Sequence, residues 1–160
     1  MQIEVKNLKD FPSMSEETNA FIADIFINGK KKFTAKNDGR GGETYINGDS
    51  SAFSGSNSLY VQVDNYCKTT LNVRNFVDYV DDLVFKLLVA KDKAKAEKKF
   101  QKHCLKGIVY SKDGTINTYY TCSWNYPIEI MKQSAKGREL IEKQVKEIKE
   151  KGFIILNKNL

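Results

Sequence analysis

Asn28-Gly29 stands between two segments in which apolar and polar residues alternate, and no other feature constrains the fold as strongly. Both residues of this dipeptide tolerate the positive φ angles that a two-residue hairpin turn requires. The alternation places apolar side chains on one side of each predicted strand, as expected where a sheet covers a core. These are Phe21, Ala23, Ile25 and Ile27 before the turn and Phe33 and Ala35 after it. The sequence therefore predicts a β-hairpin over residues 20–36.

The apolar residues adopt the period of a helix between Asn75 and about Gln101. They recur there at spacings of three and four, which creates one apolar stripe. Asn75 suits the N-cap position, and carboxylates near it suit the positive end of the helix dipole. These carboxylates are Asp78, Asp81 and Asp82. The sequence therefore predicts a long helix over these residues.

A second helix is predicted over residues 131–151, with Gly152 closing it at the C′ position. Its inward positions are Leu140, Ile141, Val145 and Ile148. The wholly apolar run at residues 153–156 predicts a buried strand after this helix.

Three further segments predict short elements. Residues 3–6 alternate as a strand does. Residues 107–111 and 115–123 flank Lys112-Asp113-Gly114 as the two strands of a second hairpin. Residues 59–63 are compatible with a strand or with the start of a helix.

The order of the elements predicts an α+β fold, because hairpins come first and helix, hairpin, helix and strand follow. We expect a mixed, mostly antiparallel sheet built from hairpins, with two main helices packed on it. The length of 160 residues and the hydrophobic fraction of 41% are typical of one globular domain. A single domain over residues 1–160 is predicted.

Cysteine usage and hydropathy predict a reduced, cytoplasmic protein. Cys67, Cys104 and Cys122 are odd in number and far apart, which disfavours a disulfide framework or a zinc knuckle. No apolar run approaches the roughly 20 residues that span a bilayer. No basic segment followed by an apolar one marks a secretory signal at the start of the printed chain, and no membrane partner is expected.

The loop Asn37-Asp38-Gly39-Arg40-Gly41-Gly42 follows directly after the second strand of the first hairpin. Glycines allow consecutive N–H groups to point into one concavity, and such nests bind phosphate. Arg40 could add a bidentate contact to the phosphate. Asp38 could orient Arg40, or it could cap the turn through its own backbone. Tyr45 or Trp124 could stack on the base of a nucleotide. The alternative is a tight connection between strands, with Arg40 exposed.

A net charge of +6 favours anionic partners, namely a phosphorylated small molecule, a nucleotide or nucleic acid. The lysine-rich segment Lys91–Lys106 and the aromatic residues of the second hairpin predict a surface for nucleic acid or for a host protein. Those aromatic residues are Tyr119, Tyr120, Trp124 and Tyr126. The alternative is that lysines interspersed with glutamates only solvate the helices.

No recognised catalytic motif is present, so the sequence favours a binding protein over an enzyme. His103 stands next to Cys104, but a catalytic pair normally meets through the fold and not through the chain. Ser15-Glu16-Glu17-Thr18 has no spacing typical of a metal loop. Asp78 and Asp82 share a helical face, so their carboxylates would repel each other unless a metal or an arginine neutralised the charge. No cofactor and no metal site are predicted, and a homo-oligomer is compatible with the sequence.

Five segments together resemble a family of small phage and bacterial proteins. They are Ser15-Glu16-Glu17-Thr18 with Phe21, Asn28-Gly29-Lys30, the loop of residues 37–42, Val80-Asp81-Asp82-Leu83-Val84 and Ile154-Ile155-Leu156-Asn157. The resemblance implies a viral or mobile-element ancestry and supplies no catalytic residues. With the glycine loop, it leads to the hypothesis of a non-enzymatic protein that captures a nucleotide-type signal and counteracts host defence. The alternative is a binder of nucleic acid or of a host defence protein.

Overall fold

The computed structural model describes residues 1–160, and the chain forms two compact units, Met1–Lys91 and Asp92–Leu160. The predicted α+β class is confirmed, because each unit combines an antiparallel sheet with helical residues. The sheet is divided into one of four strands and one of three. That the whole chain is one domain stays a prediction.

The first unit contains a four-stranded antiparallel sheet in which neighbours in sequence are neighbours in space. Its strands are β1 (Ile3–Asp10), β2 (Phe21–Ile27), β3 (Lys30–Asn37) and β4 (Tyr45–Gly48). The predicted hairpin is confirmed, because β2 pairs with β3 across Asn28 and Gly29, whose φ angles are 48° and 78°. Both positive angles are those a two-residue turn needs to match the twist of the strands.

One face of this sheet covers the core of the first unit. All six apolar side chains predicted to point inward from the hairpin are buried there. Helices α1 (Leu59–Thr69) and α2 (Phe76–Lys106) complete the core with five buried residues. These are Val63 and Cys67 from α1 and Phe76, Val80 and Val84 from α2. Residues 59–63 therefore begin a helix, which is capped by the hydroxyl of Ser58.

Helix α2 starts where the sequence predicts. The side-chain oxygen of Asn75 accepts the backbone N–H of Asp78 at 2.7 Å, as an N-cap does. The helix continues five residues beyond the predicted end at Gln101, and in this last part Phe100 and Cys104 are buried with Val109 in a second core cluster. It ends at Lys106, directly before the next strand.

The second unit contains a three-stranded antiparallel sheet with β5 (Gly107–Ser111) in the centre. Strand β6 (Tyr120–Ser123) lies on one side and the two-residue β7 (Ile154–Ile155) on the other. The second hairpin pairs as predicted, but β6 begins five residues later than expected. Residues 112–119 form a loop instead, in which Asp113 accepts both the N–H and the O–H of Thr115.

Two further helices lie wholly within the second unit, α3 (Ile128–Met131) and α4 (Ala135–Glu150). The prediction of one helix from residue 131 was wrong, because the hydroxyl of Ser134 accepts the N–H of Gly137 and starts α4 there. Ile141 and Ile148 are buried as predicted, whereas Leu140 is 43% exposed. Leu140 precedes Ile141 by one residue and so lies about 100° away around the helix.

The end of α4 matches its prediction, and the strand after it does so only in part. Gly152 has a φ of 77°, and its N–H and that of Phe153 bond back to Lys149 and Ile148, which caps the helix. Strand β7 is short and lies at the edge of its sheet, so Ile154 is half exposed and not buried as expected.

Candidate functional site

The side chain of Asn37 organises the glycine loop. It is 7% exposed, and its oxygen accepts from the hydroxyl of Thr18 and from the N–H of Gly39, both at 2.9 Å. Its NH₂ group donates to the carbonyl of Gly42 at 3.0 Å and to the hydroxyl of Thr44 at 3.1 Å. One buried amide therefore connects both ends of the loop with the segment that precedes β2.

Gly39 and Gly41 allow this loop to pack against residues 15–18. Gly39 has a φ of 85°, and a Cβ there would overlap with the carbonyl oxygen of Met14. The carbonyl of Gly39 accepts the consecutive backbone N–H groups of Glu16, Glu17 and Thr18. Gly41 has a φ of 84° and lies against the carboxylate of Glu17. The sequence left two roles open for these glycines, a phosphate-binding nest or a tight connection between strands. The observed packing is that of a tight connection.

The N–H groups of the loop are largely occupied by the protein itself. Gly39 donates to Asn37, Arg40 to the carboxylate of Asp38, and Gly41 to the hydroxyl of Thr18. A phosphate in this cradle would have to displace these side-chain oxygens. The side chains of Arg40 and Tyr45 remain exposed, and Tyr45 is exposed by 72%.

A cleft of about 300 Å³ lies beside the loop in the first unit. Asp81 and Asp82 line it together with Asn37, Thr18 and apolar side chains. Asp81 accepts a 2.6 Å hydrogen bond from the hydroxyl of Thr44. Burial raises the pKa of Asp81, and the bond from Thr44 opposes this effect. Two carboxyl groups give this cleft the wrong charge for a phosphate.

Arg74 relieves the repulsion predicted among the aspartates of α2. Its guanidinium forms two hydrogen bonds to the carboxylate of Asp78, at 2.8 and 3.0 Å. The sequence had left a metal or an arginine as alternatives here. No three His, Cys, Asp or Glu side chains of the protein converge as a metal site would require.

The net positive charge of the protein comes from the second unit. Residues 1–91 contain 11 Lys and Arg against 12 Asp and Glu, a net charge of −1. Residues 92–160 contain 15 against 8, a net charge of +7. The excess of positive charge therefore belongs to residues 92–160 and not to the unit that contains the glycine loop.

Lysines form a row along the part of α2 that belongs to the second unit. They recur at spacings of four, three and four residues, so they lie on one helical face over about 16 Å. These are Lys95, Lys99, Lys102 and Lys106, which we call the lysine row. Helical geometry places the row opposite Phe100 and Cys104, which are buried against β5. Within the row, only Lys95 forms an ion pair, at 3.4 Å from Asp92.

An open cleft of about 460 Å³ borders this row. Lys99 and His103 line it from α2, and residues 116–119 and Thr121 line its other side. The hydroxyl of Tyr119 lies 3.2 Å from Nδ1 of His103. Cys104 instead packs with Phe100 and Val109, and burial raises the pKa of its thiol. His103 and Cys104 therefore have different partners, and they form no nucleophile–base pair.

The aromatic residues of the second hairpin separate onto different surfaces. Tyr119 packs edge-on against Phe100, whereas Tyr120 is half exposed and stacks on Tyr110 at 5.7 Å. Trp124 is half-buried, and its backbone N–H donates to the carbonyl of Lys106. Trp124 belongs to the second unit and the glycine loop to the first.

Sequence reasoning named Thr18 only within Ser15-Glu16-Glu17-Thr18 and missed its hydrogen bond to Asn37. It also missed the hydroxyl of Thr44, a second partner of Asn37, and the cleft residues Asn117 and Thr118. Threonine and asparagine in polar segments are typical of any loop, so nothing in their spacing distinguishes them. The one available signal was Asn37, a polar residue directly after a predicted strand with an apolar face, where a buried hydrogen-bonding side chain could be expected.

No protein-family model, curated protein or solved structure matches the chain. None of its helices combines the length and the apolarity that crossing a membrane requires.

Proposed function

We propose that the protein is a non-enzymatic nucleic-acid-binding protein that holds the phosphate backbone with the second unit. The observation that carries this proposal is the difference in charge between the units, +7 for residues 92–160 against −1 for residues 1–91. Binding to phosphates is driven largely by the release of counterions, and its strength follows the number of cations that contact the backbone.

The lysine row supplies those cations in a regular arrangement. Its four side chains are exposed on a rigid helix, so their positions follow from the backbone of α2. Successive members are separated by one helical turn, about 5–6 Å. A nucleic-acid backbone offers one negative charge per roughly 3.4 Å of each strand, so several phosphates fall within reach of the row.

Substituting the four lysines of the row by glutamine tests the proposal. Binding of a fluorescent oligonucleotide is measured by anisotropy at several salt concentrations. We expect the wild-type protein to bind more weakly as salt rises. In the quadruple variant, the slope of log affinity against log salt should become less negative by about 3. Both proteins are first compared by circular dichroism and thermal melting.

A matched control removes the same number of charges from the first unit. The control variant carries glutamine at Lys9, Lys30, Lys32 and Lys36, which are exposed and form no ion pair. We expect its affinity to fall much less than that of the row variant. Equal losses in both variants would show that only the net charge matters, and a binding constant independent of salt would refute the proposal.

A second candidate function is the capture of a nucleotide at the glycine loop. The exposed Arg40 and Tyr45 support it, since one could contact a phosphate and the other could stack on a base. The N–H groups of the loop already bond to side-chain oxygens of the protein, which weakens the case for a phosphate there. Nucleic-acid binding by the lysine row is therefore the stronger candidate. A calorimetric screen of nucleotides and cyclic nucleotides tests it, with Arg40→Ala as the variant and Lys36→Ala as the control.

The proposal also includes a phage origin and a role against host defence. Both rest only on the resemblance to small phage and bacterial proteins. A phage protein acting in the host cytoplasm could bind nucleic acid or a nucleotide signal there. Expressing the protein in bacteria with and without a nucleotide-signalling defence tests this role. We expect phage plating to rise in the defended strain only, and equal plating with and without the protein would count against it.

A further inference from the structure

The cleft beside the lysine row has a composition that differs from a plain phosphate-binding surface. It combines one cation, Lys99, with the rings of His103 and Tyr119 and with the exposed polar side chains of Asn117 and Thr118. Its volume of about 460 Å³ lies within the range of small-ligand pockets.

The aromatic side of the cleft is held in place before any ligand arrives. The ring of Tyr119 packs edge-on against Phe100 at 5.7 Å and against His103 at 5.7 Å. The contact between the Tyr119 hydroxyl and Nδ1 of His103 fixes both rings further. A ligand that packs on them therefore costs little additional side-chain entropy.

The polar side of the cleft offers side chains that can form hydrogen bonds to a ligand. The amide of Asn117 and the hydroxyls of Thr118 and Thr121 form no hydrogen bond within the protein, so they can both donate and accept. Amide and hydroxyl groups of this kind bond the edges of nucleobases that have left a stack. Lys99 stands at the same cleft and in the lysine row, so a phosphate held there would place the adjoining base at the cleft.

We infer that the cleft receives an unpaired base and that the preferred ligand is a single-stranded nucleic acid. In a duplex the bases are paired and stacked, so neither their faces nor their pairing edges can enter such a cleft. In a single strand, one base can turn out and pack on Tyr119 and His103 while its phosphate stays on Lys99. This inference rests on the proposed nucleic-acid binding and adds the form of the ligand to it.

The first test compares one labelled oligonucleotide of mixed sequence as a single strand and as a duplex, by anisotropy at low salt. DNA and RNA versions are both used. We expect the single strand to bind about tenfold more tightly, because stacking of one base on an aromatic ring contributes on that scale. Equal affinities, or tighter binding of the duplex, would overturn the inference and leave the proposed function standing. Binding of neither form would refute the proposed function itself.

The second test removes the polar groups of the cleft and leaves the lysine row intact. The double variant Asn117→Ala with Thr118→Val should lose roughly fivefold in affinity for the single strand, and nothing for the duplex. Ser123→Ala with Asn125→Ala is the matched control, since both residues are exposed and outside the cleft. An equal loss in both double variants would overturn the inference.

Photo-crosslinking locates the base without any substitution in the protein. The wild-type chain is irradiated with a single strand that carries 4-thiouracil, and the modified peptides are identified by mass spectrometry. We expect crosslinks within residues 116–121 or at His103. Crosslinks confined to other peptides would overturn the inference, whatever the variants show.

Discussion

Gly39 lies so close to Met14 that a Cβ on the glycine would overlap with the carbonyl oxygen of that residue. The same glycine has a φ of 85°, in the left-handed region that side chains disfavour. Two independent physical reasons therefore require glycine here, and both are structural. Gly41 shares the positive φ but faces the flexible end of Glu17, and Gly42 faces open space.

Alanine substitutions at these three glycines should differ in a fixed order. Gly39→Ala should lower the free energy of unfolding by about 3 kcal/mol or more, since it combines left-handed strain with an overlap against backbone. Gly41→Ala should cost about 1–2 kcal/mol from the φ angle alone. Gly42→Ala should change it by less than about 0.5 kcal/mol. Urea denaturation measures all three, and equal losses would contradict the described packing.

Asn37→Ala should destabilise the protein by about 3 kcal/mol, because it leaves several partners inside the loop without a hydrogen bond. Asp38→Ala is the neighbouring control, since it removes one bond at an exposed position and should cost below about 1 kcal/mol. Chemical denaturation compares both with the wild type. A small loss for Asn37→Ala would show that water replaces its bonds.

Asp81→Asn should stabilise the protein at neutral pH and lose that advantage in acid. The pKa of Asp81 is raised in the folded state, so its ionisation costs more there than in the unfolded chain. Wild-type stability therefore falls as the pH rises from the ordinary value near 3.8 through the raised pKa. The amide oxygen of asparagine can still accept from Thr44.

Thermal melting at pH 3 and pH 7 measures this effect. Asp38→Asn, the same substitution at an exposed carboxyl, is the matched control. A stability difference between D81N and wild type that is the same at both pH values would contradict the raised pKa.

The three cysteines should react with thiol reagents in the order of their burial. Burial raises the pKa of Cys67 to about 11 and also raises those of Cys104 and Cys122. Only Cys122 is partly exposed, so iodoacetamide at pH 8 should label it first and Cys67 only after unfolding. Mass spectrometry of a time course follows each thiol. Early labelling of Cys67 would show that α1 opens in the native state.

The first hairpin and the start of α2 could be predicted because their signals are local. Asn28-Gly29 needs only its own φ angles, and Asn75 needs only the N–H group three residues later. The predictions at Leu140 and Ile154 failed because burial of a side chain depends on what packs against it. The second helix also begins later than predicted, because Ser134 is its N-cap. The sequence alone does not show whether a serine in a helical pattern lies inside the helix or caps its start.

The glycine loop also depends on contacts with distant residues that its local sequence does not reveal. Its residues were identified from the sequence, but the oxygens that occupy its N–H groups include Thr18, more than twenty positions away. The cleft residues Asn117 and Thr118 carried no signal, because they meet Lys99 and His103 only after β6 has paired with β5.

The sequence by itself determined the fold class, the turn of the first hairpin, the cap of α2 and the total charge, because each depends on composition or on contacts a few residues long. Only the tertiary structure decided that Gly39 and Gly41 serve close packing against residues 15–18, and that the lysine row borders a cleft lined by Tyr119. Those relationships join segments distant in the chain. Their free energy comes from burial and hydrogen bonds that exist only after the sheets have formed.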